Sequence, residues 1–563
     1  MSNHFIFIFY SILIVFSTIG YGCFFSAKIN KNFQTLNIGY QGIFGFFFII
    51  FISVISSFIY KHDYIHNSIL HLIGLFFFWR YFKITSIDYR SIKTLLFIFV
   101  LLFSGLYIFK SHDDFSYYHL TYALSLTENK FIFGVGNLGH GFRTFSSLFF
   151  FHSTLFLPII DFYLFNLGPF LILLFVNVCL ILEINKKIKK YELDYKYFFS
   201  LLVLAFINII FYRISEHGTD RSAQILLFLV FLLFVEILFV QKKNVDKKKF
   251  IELILLLIIF SASFKALFVI YLGLIPYLIY KLGYRKIINY NIKFYLILSI
   301  SLSSIFIINY FNTGCFLYPA VKTCSEKVIW HIPKNEVRIM NTHYEWWAKA
   351  GGGPNYNSEL KKEEYIDNFN WLTNWFDRHF VGKITDTLLG IFTICLIIFF
   401  SFYFIRSNKI KYQKIYDLKI VYLFILLFLT EWFLKHPSVR YGGFIIFGLI
   451  FFVTHSNHMA KYFYQKSKIF FVHSLILIII FSVYNLRNLK RINKEINIYN
   501  YNIKNSPYFF VYKNEAKIIH QKDDFRIFVP SESSCWAIKT PCTNYVNLTS
   551  DKKGGFNIIY RND

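Results

Sequence analysis

The feature that most constrains this chain is a series of apolar runs, each close to the length that crosses a bilayer. One membrane-spanning helix needs about 20 predominantly apolar residues. Of the 563 residues, 56% are hydrophobic and 22% are aromatic. A β-barrel would instead show short strands of alternating hydrophobicity. The sequence therefore predicts an all-α polytopic membrane protein with about 12–14 transmembrane helices. The candidate spans are residues 5–25, 39–60, 68–80, 92–109, 163–184, 197–212, 222–241, 250–280 (as two short helices), 294–311, 386–405, 418–434, 443–456 and 469–486.

Lysine and arginine in the loops predict which loops face the cytoplasm. Three basic clusters lie at 186–196, 242–249 and 406–414. Cytoplasmic loops carry an excess of these residues, so the net charge of +27 reflects membrane topology and does not indicate a nucleic-acid partner. The first 25 residues have no basic region and no clear cleavage site, so we expect a retained helix. With the clusters in the cytoplasm, the extracytoplasmic segments are 110–162, 213–221, 312–385 and 435–442.

The cysteines test this sidedness independently. Three of the seven fall within apolar spans, and four form two close pairs in segments predicted to lie outside, where disulfides persist. We therefore predict two disulfides. A basic group at 487–494 follows the last span and would favour the cytoplasm by charge. We let the second cysteine pair decide, and expect the C-terminal tail to be extracytoplasmic. The apolar-span cysteines are Cys23, Cys179 and Cys395, and the pairs are Cys315 with Cys324 and Cys535 with Cys542.

Two polar segments stand apart from the apolar runs. The 312–385 loop holds five of the eight tryptophans, which argues against disorder in a loop of this length. The tail contains a predicted strand at 525–529. The predicted organisation is 1–91 as N-terminal accessory transmembrane helices, 92–311 as a transmembrane core, 312–385 as an extracytoplasmic loop, 386–486 as C-terminal transmembrane helices and 487–563 as a small extracytoplasmic α+β tail.

A polar island at 110–143 carries the strongest candidate for chemistry. Asp113 and Asp114 stand where an apolar run ends. A carboxylate that faces a hydroxyl serves as a general base, whereas an Asp at a helix start can simply cap the helix. Adjacent side chains do not face the same way, so one Asp would act and the other support. We favour Asp114, which stands one turn before Tyr118. The other candidate binding residues of this island are His119, His140 and Arg143.

Three glycines in the island, Gly134, Gly136 and Gly139, match the spacing G-x-G-x-x-G. A dinucleotide site would need a surrounding βαβ unit, and none is predicted. We expect a glycine turn that lets the backbone approach a ligand, with an ordinary loop as the alternative.

Cations outside the island complete the candidate site. Lys265 interrupts an apolar run. Inserting a charged side chain into the membrane costs about 2.5–3.5 kcal/mol, so a lysine at such a position is a candidate functional residue. Its alternative is a side chain that snorkels to the interface. Glu236 is a second charge in an apolar run, with no partner assigned. Arginine suits phosphate because its planar fork binds two oxygens, although each of these arginines also fits a plain loop. The further candidates in the outer turns are Arg221, His436, Arg440 and Tyr441.

In order and sidedness, these features resemble the polyprenyl-phosphate-dependent glycosyltransferases of the GT-C superfamily, which include protein O-mannosyltransferases and bacterial aminoarabinose transferases. The resemblance rests on His112-Asp113-Asp114 in the first large outer loop, on interfacial helices at about 115–160, on Lys265 in FKALFVIYLGLIP and on Arg440-Tyr441. It covers about 92–310 well and the rest loosely, and is closest to uncharacterised bacterial membrane proteins with a DDxxYYHL-like loop. Three extra helices before the loop and a small tail depart from the family pattern.

The resemblance implies a sugar carried on a polyprenyl phosphate and presented at the outer leaflet of the bacterial inner membrane. An acceptor hydroxyl of an extracytoplasmic glycan, lipid or protein attacks the anomeric carbon. Asp113 or Asp114 takes its proton, and the cations stabilise the departing phosphate. Trp and Tyr of the 312–385 loop would stack on sugar faces, although Trp at the outer interface is equally typical of an aromatic belt. A transporter or flippase of lipid-linked glycans and a surface-polysaccharide polymerase are the alternatives. The residues establish no cofactor and leave a divalent cation open.

Overall fold

Long apolar helices make up most of the chain in the computed structural model, which describes residues 3–85, 87–107, 114–215, 218–239, 244–282, 291–356, 359–410, 418–499, 503, 506–509, 511–512, 514–532 and 534–561. Within these residues, eight helical segments have the length and composition to cross a membrane, and three shorter apolar helices accompany them. The chain is a multi-pass membrane protein. Eight is below the predicted 12 to 14, because several predicted runs form shorter or more charged helices.

The α-helices of the described residues are α1 (Asn3–Phe24), α2 (Ile38–Ser57), α3 (Tyr64–Tyr81), α4 (Tyr89–Leu102), α5 (Leu120–Glu128), α6 (Ser147–Thr154), α7 (Leu167–Lys189), α8 (Tyr195–Ile209), α9 (Gly218–Phe239), α10 (Asn244–Phe264), α11 (Leu274–Leu282), α12 (Ile292–Thr313), α13 (Lys334–Lys349), α14 (Lys362–Ile366), α15 (Leu372–Trp375), α16 (Thr385–Tyr403), α17 (Lys419–Lys435), α18 (Gly443–Met459) and α19 (Lys466–Tyr499). The strands are β1 (Arg406–Ile410), β2 (Tyr462–Tyr464), β3 (Ala516–Lys522), β4 (Phe525–Pro530), β5 (Leu548–Lys553) and β6 (Phe556–Arg561). They form three antiparallel pairs, β1–β2, β3–β4 and β5–β6.

The centre of the bundle is α7, which packs against α2, α4, α8 and α9. Nearly all of its side chains up to Ile181 are buried, and they are almost entirely apolar. A helix that is hydrophobic all round belongs in the interior or in lipid, and here it is surrounded by protein. In contrast, α4 and α12 bury only one face each, because their other faces are exposed along the outside of the bundle.

The apolar run at 250–280 breaks into two helices at Lys265, as predicted. The first helix, α10, ends at Phe264, and Lys265 adopts an extended conformation with φ −149° and ψ 110°. A 3₁₀ segment, Ala266–Gly273, then leads into α11. Lys265 therefore lies between two helices and not inside one, and this break is at the end of the bundle that contains the candidate site.

Two of the basic clusters, 186–196 and 242–249, meet at the other end of the bundle. Lys196 Nζ lies 2.8 Å from a Glu183 carboxylate oxygen and 3.2 Å from Glu236, so Glu236 has its partner. Lys249 donates to Thr35 from 3.2 Å, and both belong to the same surface cavity as Lys196.

A partly buried ion pair joins the segments that were predicted to lie outside. Arg143 Nη2 donates to Glu336 from 2.6 Å, and Arg561 of the tail donates to the same carboxylate from 2.7 Å. The backbone of Phe133 also pairs with the tail, accepting from Ile559 N at 2.8 Å. The 110–162 loop, the 312–385 loop and the tail therefore share one end of the molecule.

The tail consists of the end of α19 followed, in its described residues, by the hairpins β3–β4 and β5–β6. The predicted strand lies within β4. Cys315 is bonded to Cys324 and Cys535 to Cys542, while the three remaining cysteines are buried thiols. Both bonds lie in segments that were predicted to be extracytoplasmic.

The basic group that follows the last predicted span lies on a helix that is longer than a membrane is thick. The 34 residues of α19 extend about 51 Å, against about 30 Å of hydrocarbon. Its last turns therefore project beyond the bilayer. Arg487 donates to the Ile209 carbonyl from 2.6 Å, and Arg491 donates to the Tyr107 carbonyl.

Candidate functional site

A cavity of about 290 Å³, at the end of the bundle that holds the 110–162 and 312–385 loops, is lined by most of the predicted site residues. It lies where the start of α5, the start of α9, the break at Lys265 and the turn before α18 come together. A wall from α13 closes one side. The predicted residues that line it are Asp114, Tyr118, His140, Lys265, His436, Arg440 and Tyr441.

Asp114 stands at the start of a π-helical turn, Phe115–His119, that leads into α5. Its backbone is helical, with φ −61° and ψ −26°, and within this described turn its side chain caps no backbone N–H. A capping Asp has an extended backbone and binds the second or third N–H, so capping does not account for Asp114. Its side chain lines the cavity one turn from Tyr118. Asp113 lies outside the described residues.

Asp220 links the two cations of the cavity. Its Oδ1 lies 3.2 Å from Lys265 Nζ, and its Oδ2 accepts from Arg440 Nε at 3.1 Å. The Asp220 side chain is 10% exposed, while Lys265 and Arg440 are each 34% exposed and reach the cavity. A buried charge is tolerated when it is paired and hydrogen-bonded. The bridge therefore fixes both cations and has a net charge of +1, and the Asp114 carboxylate lines the same cavity.

The turn that carries Arg440 is held by α9 and by an aromatic ring. Gln224 donates to the Arg440 carbonyl from 3.1 Å and accepts from Ile445 N at 3.1 Å. Lys265 Nζ and the Arg440 guanidinium each lie 5.3 Å from the centre of the Tyr441 ring, within the range of a cation–π contact. Burial by itself would lower the pKa of Arg440. The acidic groups around it, Asp220 first among them, raise that pKa by a larger amount, so the guanidinium stays charged.

The wall from α13 was not predicted residue by residue. His343, Tyr344 and Trp347 line the cavity, and only Trp347 was noted, as one of five loop tryptophans. Burial raises the pKa of Tyr344 and lowers that of His343, so both side chains are neutral at pH 7. His343 and Trp347 are one helical turn apart, a spacing that places them on one face. That spacing within a polar, aromatic helix was the signal available in the sequence.

Three predicted residues lie outside this cavity. His119 lines a smaller cavity of about 160 Å³, which shares Tyr118 and Lys265 with the first. Arg143 is 1% exposed and donates to Glu336, Tyr318 and the Gly136 carbonyl, so it joins the outer segments and does not face the cavity.

The third residue, Arg221, does not line the cavity and lies next to Asp220, which contacts the two cations that do. Its guanidinium lies 5.6 Å from the Phe211 ring. Neighbours on an α-helix point about 100° apart, so the rotation of α9 that brings Asp220 to the two cations directs Arg221 elsewhere. Asp220, not Arg221, is therefore the group that supports the site.

The glycines of the island allow close approach of protein groups. Gly139 has φ +154°, and a Cβ there would lie 2.3 Å from the Tyr117 hydroxyl. Gly134 has φ +76°, and a Cβ there would lie 2.0 Å from the Ile559 carbonyl oxygen. The glycine turn therefore packs closely against Tyr117 and the tail. We had expected the glycines to allow the approach of a ligand, and they allow the approach of protein groups instead.

Metal ligands are sparse in the described part of the chain. Among those residues, no group of three or more His, Cys, Asp or Glu side chains is placed to hold a metal ion. Asp220, the carboxylate nearest the two cations, is already engaged by them.

Comparison with known proteins places the site inside a family. No curated protein and no solved structure matches the chain. A family described as a domain of unknown function (DUF8201) matches residues 5–447. This range contains every residue that lines the cavity and stops before the tail. Because the match covers most of the 563 residues, the chain belongs to the DUF8201 family.

Proposed function

We propose that the protein is a membrane glycosyltransferase that moves a sugar from a polyprenyl-phosphate carrier to an extracytoplasmic acceptor. The observation that carries the proposal is that one carboxylate, Asp114, and two cations, Lys265 and Arg440, line the same cavity. Transfer from a lipid phosphate needs a base for the acceptor and positive charge for the leaving phosphate. The cavity supplies both from elements that are far apart in sequence.

The proposed reaction is a displacement at the anomeric carbon. The acceptor hydroxyl oxygen forms the new bond to that carbon as the bond to the phosphate oxygen breaks. The Asp114 carboxylate accepts the hydroxyl proton. The lipid phosphate leaves with the bonding electrons, and its growing negative charge is stabilised by Lys265 and Arg440.

The cations are suited to a phosphate because Asp220 holds them in place. Arg440 directs only its Nε at Asp220, and the rest of its planar fork matches phosphate oxygens. Preorganised charges cost no rearrangement as the leaving group departs, which is the main source of such electrostatic stabilisation.

The aromatic wall and the second cavity give room for two substrates. Tyr344 and Trp347 present neutral rings that suit stacking on sugar faces. The smaller cavity shares Lys265 and Tyr118 with the first, so a donor and an acceptor would meet beside the same lysine. A divalent cation is not required by this scheme.

The test compares two substitutions that act on different steps. Asp114→Asn keeps the size of the side chain but cannot accept a proton, so we expect transfer to fall about 10²–10⁴-fold while donor binding survives. Lys265→Gln should weaken donor binding. Lys435→Gln is the matched control, because Lys435 lies near the site, is 62% exposed and does not line the cavity. Turnover and binding are measured with purified protein and a polyprenyl-phosphate sugar.

Two outcomes would contradict the proposal. Transfer at the parent rate by Asp114→Asn would exclude the base. If the parent and every variant fail to transfer sugar yet move the lipid between leaflets, the protein is a transporter that uses the same cations.

A further inference from the structure

A second groove lies on the membrane-facing side of the bundle, apart from the candidate site. It has a volume of about 630 Å³ and runs between α4, α7 and α19. It shares no lining residue with the cavity that holds Asp114.

The walls of this groove are hydrocarbon. Its floor includes Ile98 and Phe481, which are 1% and 6% exposed, and its rims include Phe97 and Ile478, which are 64% and 63% exposed. Exposed aromatic and aliphatic side chains at membrane depth are surfaces for lipid chains.

The one amide at the deep end of the groove is saturated. Asn485 donates to the Leu101 and Phe481 carbonyls from 3.0 and 2.8 Å, and accepts from Ser104 at 2.7 Å. Its polar atoms are therefore occupied within the protein, and the deep end offers no polar group of this amide to a ligand.

Positive charge is confined to the other end. Arg90 and Lys93 stand in the first turns of α4, both exposed, and neither forms an ion pair in the described part of the chain. The carboxylate nearby, Asp88, caps the helix by accepting from Ser91 N at 2.8 Å. Cations near a helix N-terminus oppose the helix dipole, so the stability of α4 does not explain them.

The length of the groove matches one leaflet. Arg90 and Leu101 both line it and are about 17 Å apart along α4, while half of a bilayer's hydrocarbon is about 15 Å thick. Asn185, next to the basic cluster that begins at Lys186, lines the charged end. The groove therefore extends from the lysine-rich membrane face to the middle of the bilayer.

We propose that this groove is a binding site for an anionic phospholipid of the leaflet at the lysine-rich face. The head-group phosphate lies between Arg90 and Lys93, and an acyl chain lies along Phe97, Ile98 and Phe481. Basic pockets between transmembrane helices on this face are suited to acidic head groups. A bound lipid would also join α4 to α19 and stabilise the folded chain by mass action. This site is independent of the proposed sugar transfer.

The experiment uses the purified full-length chain in a neutral detergent. Phosphatidylglycerol and phosphatidylcholine with the same acyl chains are titrated, and bound lipid is counted by native mass spectrometry. We expect one phosphatidylglycerol to bind more tightly than phosphatidylcholine. Arg90→Gln and Lys93→Gln should each weaken it about fivefold, since a basic residue near an acidic lipid surface contributes about that factor. Arg80→Gln with Lys83→Gln removes the same charge from exposed positions outside the groove and should change nothing.

A further variant and a competitor separate a lipid from a free phosphate. Ser482→Phe adds a ring at an exposed lining position and should reduce phosphatidylglycerol binding with the cations intact. Glycerol 3-phosphate, which has the charge and no chains, should not displace the lipid. The proposal would be overturned if the two lipids bound equally. It would also be overturned if phosphatidylglycerol affinity were unchanged in both Arg90→Gln and Lys93→Gln, or in Ser482→Phe. If glycerol 3-phosphate by itself displaced phosphatidylglycerol, the lipid-binding proposal would be overturned and the groove would be identified as a phosphate site.

Discussion

Lys265 Nζ lies 3.2 Å from Asp220 Oδ1, which joins the helix break to the first turn of α9. A carboxylate in the first turn of a helix is stabilised by the helix dipole, so Asp220 is a well-supported anion on which to fix a lysine. The sequence predicted that Lys265 would meet a phosphate or extend to the interface. The observed contact is a third arrangement, in which a protein carboxylate holds the lysine at the cavity.

Asp220→Asn should disturb both the fold and the site. It removes charged hydrogen bonds to Lys265 and Arg440, each worth about 1.5–3 kcal/mol, so we expect a lower free energy of unfolding. In transfer assays kcat should fall and KM should rise, because the two cations that bind the donor phosphate and stabilise its growing charge lose their support. Asp386→Asn is the control: Asp386 also lies in the first turn of a helix, is exposed and forms no ion pair in the described residues. Equal effects of the two substitutions would show that the bridge has no special role.

The ends of the bundle should be labelled from opposite sides of the membrane. In a background without native cysteines, Asn355→Cys should react with an impermeant reagent in whole cells, and Lys190→Cys should not. Both positions are exposed, so access to the side chain is not the difference. The reason is the excess of lysine at the end that holds Lys190. The reverse labelling pattern would invert the topology.

Stability should fall in mild acid because of His62. Its buried ring lies between the hydroxyls of Ser56 and Ser153, at 3.0 and 2.7 Å. Burial, with His66 nearby, lowers the pKa of His62 to about 3. The unfolded chain binds a proton below about 6.5 and the folded chain does not, so stability present above that pH is lost as the pH falls. At pH 5 the loss is about 2 kcal/mol.

His62→Gln tests this pH dependence. Unfolding of the parent and the variant is compared in detergent at pH 7.5 and pH 5. The parent should lose more stability than the variant between the two conditions. His331→Gln, at a half-buried position of the outer loop, should retain the parent's pH dependence. Equal losses in the parent and His62→Gln would remove His62 as the cause.

The tail should depend on its disulfide. Cys535 and Cys542 close a short loop against Phe528 of β4, and in the chain-entropy model such a loop contributes about 2–3 kcal/mol. Replacing both cysteines with serine should destabilise the tail, as judged by faster proteolysis between 514 and 561. Non-reducing peptide mapping of protein from native membranes should recover this link and the Cys315–Cys324 link. Free thiols at all four positions would contradict the outer location.

The sequence alone was enough for the features that depend on local composition. Apolar runs indicated the membrane helices, and the run broken by Lys265 indicated two short helices. The spacing and sidedness of the cysteines indicated both pairs. Asp114, Tyr118 and Tyr441 were singled out because polar side chains are rare in such a chain. These features depend on the free-energy cost of placing polar groups in hydrocarbon. That cost is set by the composition of each segment and does not depend on how the segments pack together.

Which of the candidates share a cavity was decided only by the tertiary structure. Asp220 enters the site and Arg221 does not, because successive side chains on a helix point about 100° apart and only packing sets the rotation of α9. Arg143 resembled a phosphate ligand in the sequence, but it pairs with Glu336, a carboxylate distant in sequence that Arg561 of the tail also binds. The α13 wall is likewise brought to the cavity by packing that no local pattern specifies.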